Sequence, residues 1–231
     1  DGIVLTESQL QALEKRKQEK NAKGEIETEH PGYLGSQDTY YVGHFKGVGK
    51  VYGQVYIDTY SRVADVKLYH DKTAITSADL LNDRVLPWYT EEGVPLLRIL
   101  TDRGTEYKGT LEHHAYQLFL SIEGIEHTTT KAYSPQTNGI CERFNKTMKQ
   151  EFFETAMRKR IYSSKDDLQC DLDTWLAYYN NERPHSGKYC YGKTPLQTFR
   201  DSKRLAVEKS NEIMYHEGRS DSCDLAYSKV T

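Results

Sequence analysis

Residues Ser134–Phe153 read SPQTNGICERFNKTMKQEFF. Pro135, Asn138 and Gly139 break regular structure, and the remainder settles into a helix of period 3.6. At 100° per residue, Ile140, Cys141, Phe144, Met148 and Phe152 fall within one sector of about 120°. Glu142, Asn145, Lys146 and Lys149 fall on the other side. A carboxylate therefore stands in the first turn of a helix, with an amide and two ammonium groups beyond it. An isolated Glu at a helix start ordinarily does no more than complement the helix dipole.

A second stretch changes that reading. Leu96–Tyr107 reads LLRILTDRGTEY, and its short apolar run, Leu96 to Leu100, ends on Asp102 followed by Arg103 and Gly104. This is the pattern of a buried strand that delivers a carboxylate where the chain turns. Between Asp102 and Glu142 lie 39 residues, room for one helix and one strand. Further upstream, Tyr33–Val42 (YLGSQDTYYV) is strand-like with Asp38 in its middle. An Asp inside a strand runs against propensity and needs a reason.

Asp38 in QDT, Asp102 in LTDRGTEY and Glu142 in SPQTNGICERFNK resemble the Asp, Asp and Glu of the integrase and transposase catalytic core. The nearest likeness is to bacterial insertion-sequence transposases of the DDE class. It runs from about His30 to Phe199 and takes in YNNERPH (Tyr179–His185) and GKTPLQTF (Gly192–Phe199). The resemblance implies an α/β, ribonuclease-H-like fold, with a five-stranded mixed sheet and flanking helices.

Composition is compatible with that reading. A chain of 231 residues holds one core of about 150 residues plus appendages. Apolar residues are 37% of the whole, and 18 tyrosines supply buried area with a polar tip each. No apolar run reaches the length of a membrane span and no secretory signal is visible. Cys141, Cys170, Cys190 and Cys223 are scattered, without zinc spacing, which fits a reducing cytoplasm. The formal charge of −3 is unusual for a protein that handles DNA. Locally segregated charge, or a DNA-binding portion preceding Asp1, reconciles the two.

In chain order, residues 1–29 are polar and read as a linker with one short helix. Residues 30–200 are the integrase-type core with a C-terminal helical extension. Residues 201–231 form a polar tail without pattern, a candidate for disorder. Within the core, strands are expected at Tyr33–Phe45, Lys50–Tyr60 and Ala64–Tyr69, the first two joined by a hairpin at Lys46–Gly49. A helix capped by Ser77 follows, with Pro87 kinking it or ending its regular part. Then come the Asp102 strand, a helix over Thr110–Ile122 with Leu111, Ala115, Leu118, Phe119 and Ile122 inward, and a strand over Glu126–Thr130. Ser164 opens a last helix carrying Leu168, Leu172, Trp175, Leu176 and Tyr179 on one face.

The resemblance implies Asp38, Asp102 and Glu142 as both catalytic residues and metal ligands. Three ionised carboxylates in one pocket repel unless cations neutralise them, and hard oxygen donors suit Mg²⁺ or Mn²⁺, two ions per site. The implied activity is metal-dependent DNA cleavage at element ends and strand transfer into target DNA, by a homo-oligomer on DNA in a bacterial cytoplasm, at the nucleoid when acting. Arg143, Asn145, Lys146, Lys149 and the cluster Arg158, Lys159, Arg160 are candidate DNA contacts. The rival readings are a purely hydrolytic nuclease of the same fold and a non-catalytic DNA-binding or regulatory descendant of a transposase. Asp58, in VYIDTYSR, competes with Asp38 for the first-ligand position. A hairpin register summing to about 95 would set Asp38 opposite position 57. The resemblance favours Asp38 and leaves Asp58 supporting the loop that ends at Arg62.

Overall fold

The computed structural model describes residues 28–110, 114–130 and 139–209. The expected helix in the first 27 residues, Leu111, and the end of the tail lie outside them. Strand β1 (Gly35–Phe45), with Thr39, Tyr40, Tyr41 and Val42 at its middle, turns back through Lys46–Val48 into β2 (Gly49–Asp58). Val48 N–H donates to the Phe45 carbonyl across that turn at 3.1 Å, so the glycines there serve a hairpin. Strand β3 (Ala64–Tyr69) buries every second residue, Ala64, Val66 and Leu68. β4 (Arg98–Thr101) and β5 (Glu126–Thr129) lie parallel to β1 and to each other, giving a mixed sheet of order β3-β2-β1-β4-β5. This is the ribonuclease-H-like fold.

Helices cover both faces. Helix α1 runs as Ala74–Leu80, a π-type turn at Leu81–Val85, and Leu86–Glu92. Thr73, not Ser77, caps it: the Thr73 side chain accepts from Thr76 N–H, and Thr76 Oγ1 accepts from Thr73 N–H. Ser77 is buried one turn in, its hydroxyl donating to the Thr73 carbonyl. The irregularity expected at Pro87 is the π-type turn just ahead of it, and the helix resumes through the proline, ending at Gly93. Helix α2 (Ala115–Ile122) buries Tyr116 and Leu120. Leu118 and Ile122, expected inward, are 41% and 81% exposed. The tyrosine sets the helix phase, because its hydroxyl donates to buried Gln37 and its ring meets Tyr107 edge-on.

Helix α3 carries Gly139–Met148, a second π-type turn at Lys149–Phe153, and Glu154–Lys159. Helix α4 (Lys165–Asn181) starts on Ser164, whose hydroxyl accepts from Asp167 N–H at 3.1 Å. Helix α5 spans 195–209 and so continues past position 201, where the sequence loses its visible pattern. Phe199 and Ala206, seven residues apart on one face, are buried, and Arg200 and Lys203 pair with Glu92 of α1. Two anchors on a polar helix are too few to show as periodicity. None of the helices among the described residues is long and apolar enough to cross a membrane.

The sheet separates two cores. On one face Val51, Val55, Ile57, Val66 and Leu68 meet Cys141, Phe144 and Met148 of α3 and the leucines of α4. On the other, Tyr56 and Ile99 meet α1, α2, Tyr107 and Phe199. Tyr56 lies across β1 so closely that a Cβ on Gly35 would stand 2.3 Å from its ring, so that strand position requires glycine.

The hairpin register puts the two competing aspartates on opposite faces of the sheet. Asp38 pairs with Val55, not position 57, and Asp58 pairs with Gly35. Positions 35 and 38 differ by an odd number, so the two side chains point to opposite faces. Asp38 shares the α3 face. Asp58 is fully buried on the other, accepting from Gly32 N–H, Tyr60 N–H, Ser61 N–H, the Ser61 hydroxyl and the Tyr89 hydroxyl. It gathers the start of β1, the β2–β3 turn and helix α1 onto one carboxylate. Replacing it with alanine strands several buried donors at about 1–3 kcal/mol each. Asp58→Ala is therefore expected to lose at least about 3 kcal/mol in urea unfolding. A loss below about 0.5 kcal/mol, the scale of an ordinary surface change, would refute the clamp.

Candidate active site

Asp38 and Asp102 are brought together by the parallel pairing of β1 with β4. Gly35 lies beside Ile99 and Ser36 beside Leu100. Two positions further, the same register sets Asp38 level with Asp102, on strands about 4.8 Å apart. Asp102 itself stands where β4 turns into the loop Asp102–Tyr107. Its Oδ1 accepts from Gly104 N–H at 2.8 Å, which fixes the turn.

A buried polar chain ties that loop to the centre of the sheet. Tyr107, fully buried, donates its hydroxyl hydrogen to Gln54 Oε1 at 3.0 Å and lies 2.9 Å from the Thr39 hydroxyl. Thr39 and Gln54 are cross-strand partners on β1 and β2. Tyr107 thereby holds the Asp102 loop against the residue that follows Asp38. Glu106 is also buried beside the site, a residue the sequence reading passed over. A Cβ on Gly104 would lie 2.6 Å from Glu106 Oε2 and 3.0 Å from Asp102 Oδ1. Glu106 Oε1 reaches Lys72 at 3.3 Å, while Oε2 is buried without a partner. The glutamate in TDRGTEY carries no periodicity signal of its own; only its closeness in sequence to Asp102 pointed there.

Helix α3 supplies the third side. Cys141, Phe144 and Met148 are buried as expected, and Glu142, Arg143, Lys146 and Lys149 are exposed. Asn145, placed on the solvent side by sequence, is buried at 8% exposure and donates to Asp38 Oδ2 at 2.8 Å. At 100° per residue it sits only about 20° outside the apolar sector, so a small roll of the helix buries it. Asn145 Oδ1 is buried without a partner. Thr39 N–H donates to Asp38 Oδ1 at 2.9 Å.

Burial above all, then the Asp102 charge, push the Asp38 carboxyl from its ordinary 3.8 up to about 6; Glu142 adds to the rise, while Thr39 N–H and the Asn145 amide oppose it. Asp38 thus feels both of the other carboxylates. Arg158, Lys159 and Arg160 lie further off, roughly 24 Å along α3 from Glu142 to Arg158 at 1.5 Å per residue. Arg160 is engaged by Asp171 at 3.0 Å and lies over the Tyr162 ring. Arg158 and Lys159 are exposed in the last turn of α3.

Among the described residues, no three His, Cys, Asp or Glu side chains already close around a metal. The donors at Asp38 and Asp102 nonetheless fit a hard divalent cation. Burial first, and the Asp102 charge second, disfavour the ionised Asp38 carboxylate, and a cation between neighbouring carboxylates offsets both.

The linkage has a definite sign. Because the folded Asp38 carboxyl titrates at about 6 against 3.8, its favourable contribution is complete below 3.8 and is lost as pH rises through 6. Asp38→Asn is therefore expected to raise Tm in metal-free buffer at pH 7.5, with a smaller gain at pH 5. Mg²⁺ should stabilise the wild type, and not the variant, above pH 6. A variant less stable than wild type at pH 7.5 without metal would contradict this reading of the site.

Comparison with known proteins agrees with the fold. Residues 123–195 match the integrase core domain family, a span that takes in Glu142 and YNNERPH. The chain is 28% identical over 186 residues to an open-reading-frame product of Spiroplasma virus SpV1-C74 named as an integrase, covering 76% of this chain and 50% of that protein. It is 32% identical over 143 residues to an uncharacterized Caenorhabditis elegans protein, covering 62% of this chain and 10% of the other. The chain thus spans half or less of these relatives. Among solved structures, the HTLV-2 integrase catalytic core domain in complex with magnesium superposes with a TM-score of 0.52 at 20% identity, over 74% of this chain and 97% of that one. The chain is thus similar to the integrase core domain over residues 123–195 and shares its ribonuclease-H-like fold with a retroviral integrase catalytic core.

Proposed function

We propose that this chain is the catalytic core of a DDE transposase of the bacterial insertion-sequence kind, cleaving DNA at element ends and joining those ends to target DNA. The observation that carries the reading is Asp38 held level with Asp102, its carboxyl pushed up to about 6 by burial and by the charges of Asp102 and Glu142. Relatives named as integrases support the DNA-integration class in general.

Asp38, Asp102 and Glu142 are the residues that would hold Mg²⁺ or Mn²⁺, two ions per site. When bound, such cations supply Lewis-acid polarisation of the phosphate and lower the pKa of the attacking hydroxyl. The chain's own residues do the positioning. Asn145 fixes one Asp38 oxygen and Thr39 N–H the other, so that the carboxylate is presented in one orientation. The Gly104 amide does the same for Asp102. Lys146 and Lys149, exposed one and two turns beyond Glu142, are placed to take backbone phosphates next to the reacting one, and Arg143 borders the same helix turn. Arg158 and Lys159, further along, would meet a more distant part of the duplex. The protein would act as a homo-oligomer on DNA, each end needing its own site.

The test uses the full chain with duplexes carrying a 3′-hydroxyl, taken from the ends of its own element, and a supercoiled plasmid as target. Mg²⁺- or Mn²⁺-dependent joined product is expected. Asp102→Asn should lower it at least about 10³-fold, the scale of losing a principal catalytic group, with an unchanged circular dichroism spectrum. Strand cleavage without any joined product would instead favour the hydrolytic nuclease. Full activity of the Asp102→Asn chain would remove the site assignment.

A further inference from the structure

A cleft of ≈ 470 Å³ opens on the α3 side of the sheet, beside and not within the carboxylate site. Its charged lining is Arg62, Arg143, Arg183 and His185, over a floor that includes Phe144 and Tyr179. The segment that walls it is the tail of YNNERPH and the tight loop after it, where His185 N–H donates to the Lys193 carbonyl and Gly192 N–H to the His185 carbonyl. Neither this loop nor Arg62 has a part in the proposed carboxylate chemistry.

Arg62 is the anomaly. It is a non-glycine residue at φ +72°, a left-handed conformation that costs a side chain of its kind about 1 kcal/mol or more. Its Nη1 is buried with no hydrogen-bond partner. A buried cationic N–H left unpaired is expensive, and such groups call for an occupant. Asp58 lies close to Arg62, but its two oxygens already serve the five donors described above. Burial, chiefly, lowers the Arg62 pKa from its ordinary range, opposed by Cys190, Asp58 and Tyr179, and the neighbouring Arg143 charge lowers it further. Arg183 is matched by Glu151 at 2.6 Å, and Arg143 is exposed. Burial, then the charges of Arg183 and Arg62, bring His185 down to about 4, so it is a neutral donor or acceptor at neutral pH. The Asp58 and Glu151 charges thus stand near Arg62 and Arg183, and what the lining leaves unmet is the hydrogen bond of Arg62 Nη1, beside the exposed Arg143.

We infer that this cleft binds a phosphate of a nucleic-acid strand, held between the Arg62 and Arg143 guanidinium groups. Arginine presents paired N–H groups to phosphate oxygens, and a phosphate is the anion that satisfies the orphaned Arg62 donor while neutralising Arg143. The cleft is of the size that holds small organic ligands, roughly 300–1,000 Å³, and so has room for the nucleotide that bears the phosphate. Arg143 directly follows Glu142 in α3, so a strand anchored here runs past the carboxylates. The choice of nucleic acid as the source of the phosphate rests on the function proposed above; the anion site itself does not.

The test is a titration of the ¹⁵N-labelled chain, without divalent cation, followed through the arginine Nε–Hε signals. The probes are a thymidine trinucleotide, its methylphosphonate analogue with uncharged linkages, and inorganic phosphate. The trinucleotide is expected to shift the Arg62 signal, and the uncharged analogue to leave it in place. Arg143→Gln, at an exposed position, should weaken the trinucleotide roughly tenfold, the effect of losing about 1.4 kcal/mol. Arg62→Asn, which tolerates the left-handed backbone, should abolish its binding. Equal binding of the uncharged analogue, or an affinity unchanged in Arg143→Gln, would overturn the site. Binding of inorganic phosphate but not of the trinucleotide would overturn the nucleic-acid assignment. No turnover enters the readout, so failure here and failure of the DNA-cleaving reading are separately visible.

Discussion

Two carboxylates that repel each other are held side by side by the parallel register of β1 and β4. That constraint organises the rest of the site. The pairing of Gly35 with Ile99 and Ser36 with Leu100 fixes the relative height of the two strands just before Asp38 and Asp102. Burial, and after it the Asp102 charge, raise the Asp38 carboxyl. The surroundings work to keep the arrangement: Tyr107 ties the Asp102 loop to Thr39 and Gln54, and Asn145 reaches from α3 to Asp38. A site built so that its acids are uncomfortable alone is a site suited to cations.

The charge balance of the chain reads differently once its pairs are placed. Several basic groups are spent inside the fold. Arg84 is bound to Asp65 and Asp173, Lys67 to Asp79 and Asp83, and Arg160 to Asp171. Along α3, Arg143, Lys146 and Lys149 are exposed, as are the carboxylates Glu142, Glu151 and Glu154.

Much of this was legible in the sequence because it depends on periodicity. The three antiparallel strands, the turn at Lys46–Val48, the Ser164 cap and the buried stripe of α4 follow from alternation, glycine placement and capping chemistry. Asp38 and Asp102 drew notice because charge in or at the end of an apolar strand conflicts with propensity. What escaped depends on partners distant in sequence. Asn145 is buried only because Asp38 stands opposite it, 107 positions earlier. The phase of α2 follows Tyr116 because Gln37 receives its hydroxyl. Helix α5 is held by Phe199, Ala206 and two cations on Glu92, contacts that no local pattern announces. Which face of the sheet Asp38 and Asp58 each take depends on register, and a hairpin shift of two residues is invisible until the strands are paired.

The central claim is that Asp38, Asp102 and Glu142 form one divalent-cation site. Crystals of the full chain soaked in Mn²⁺ test it most directly through the anomalous difference map. The account predicts peaks bounded by Asp38, Asp102 and Glu142, absent from crystals of Asp38→Asn. A map with no peak at these three carboxylates at saturating Mn²⁺, or with the ion bound at Asp58 on the opposite face of the sheet, would contradict it.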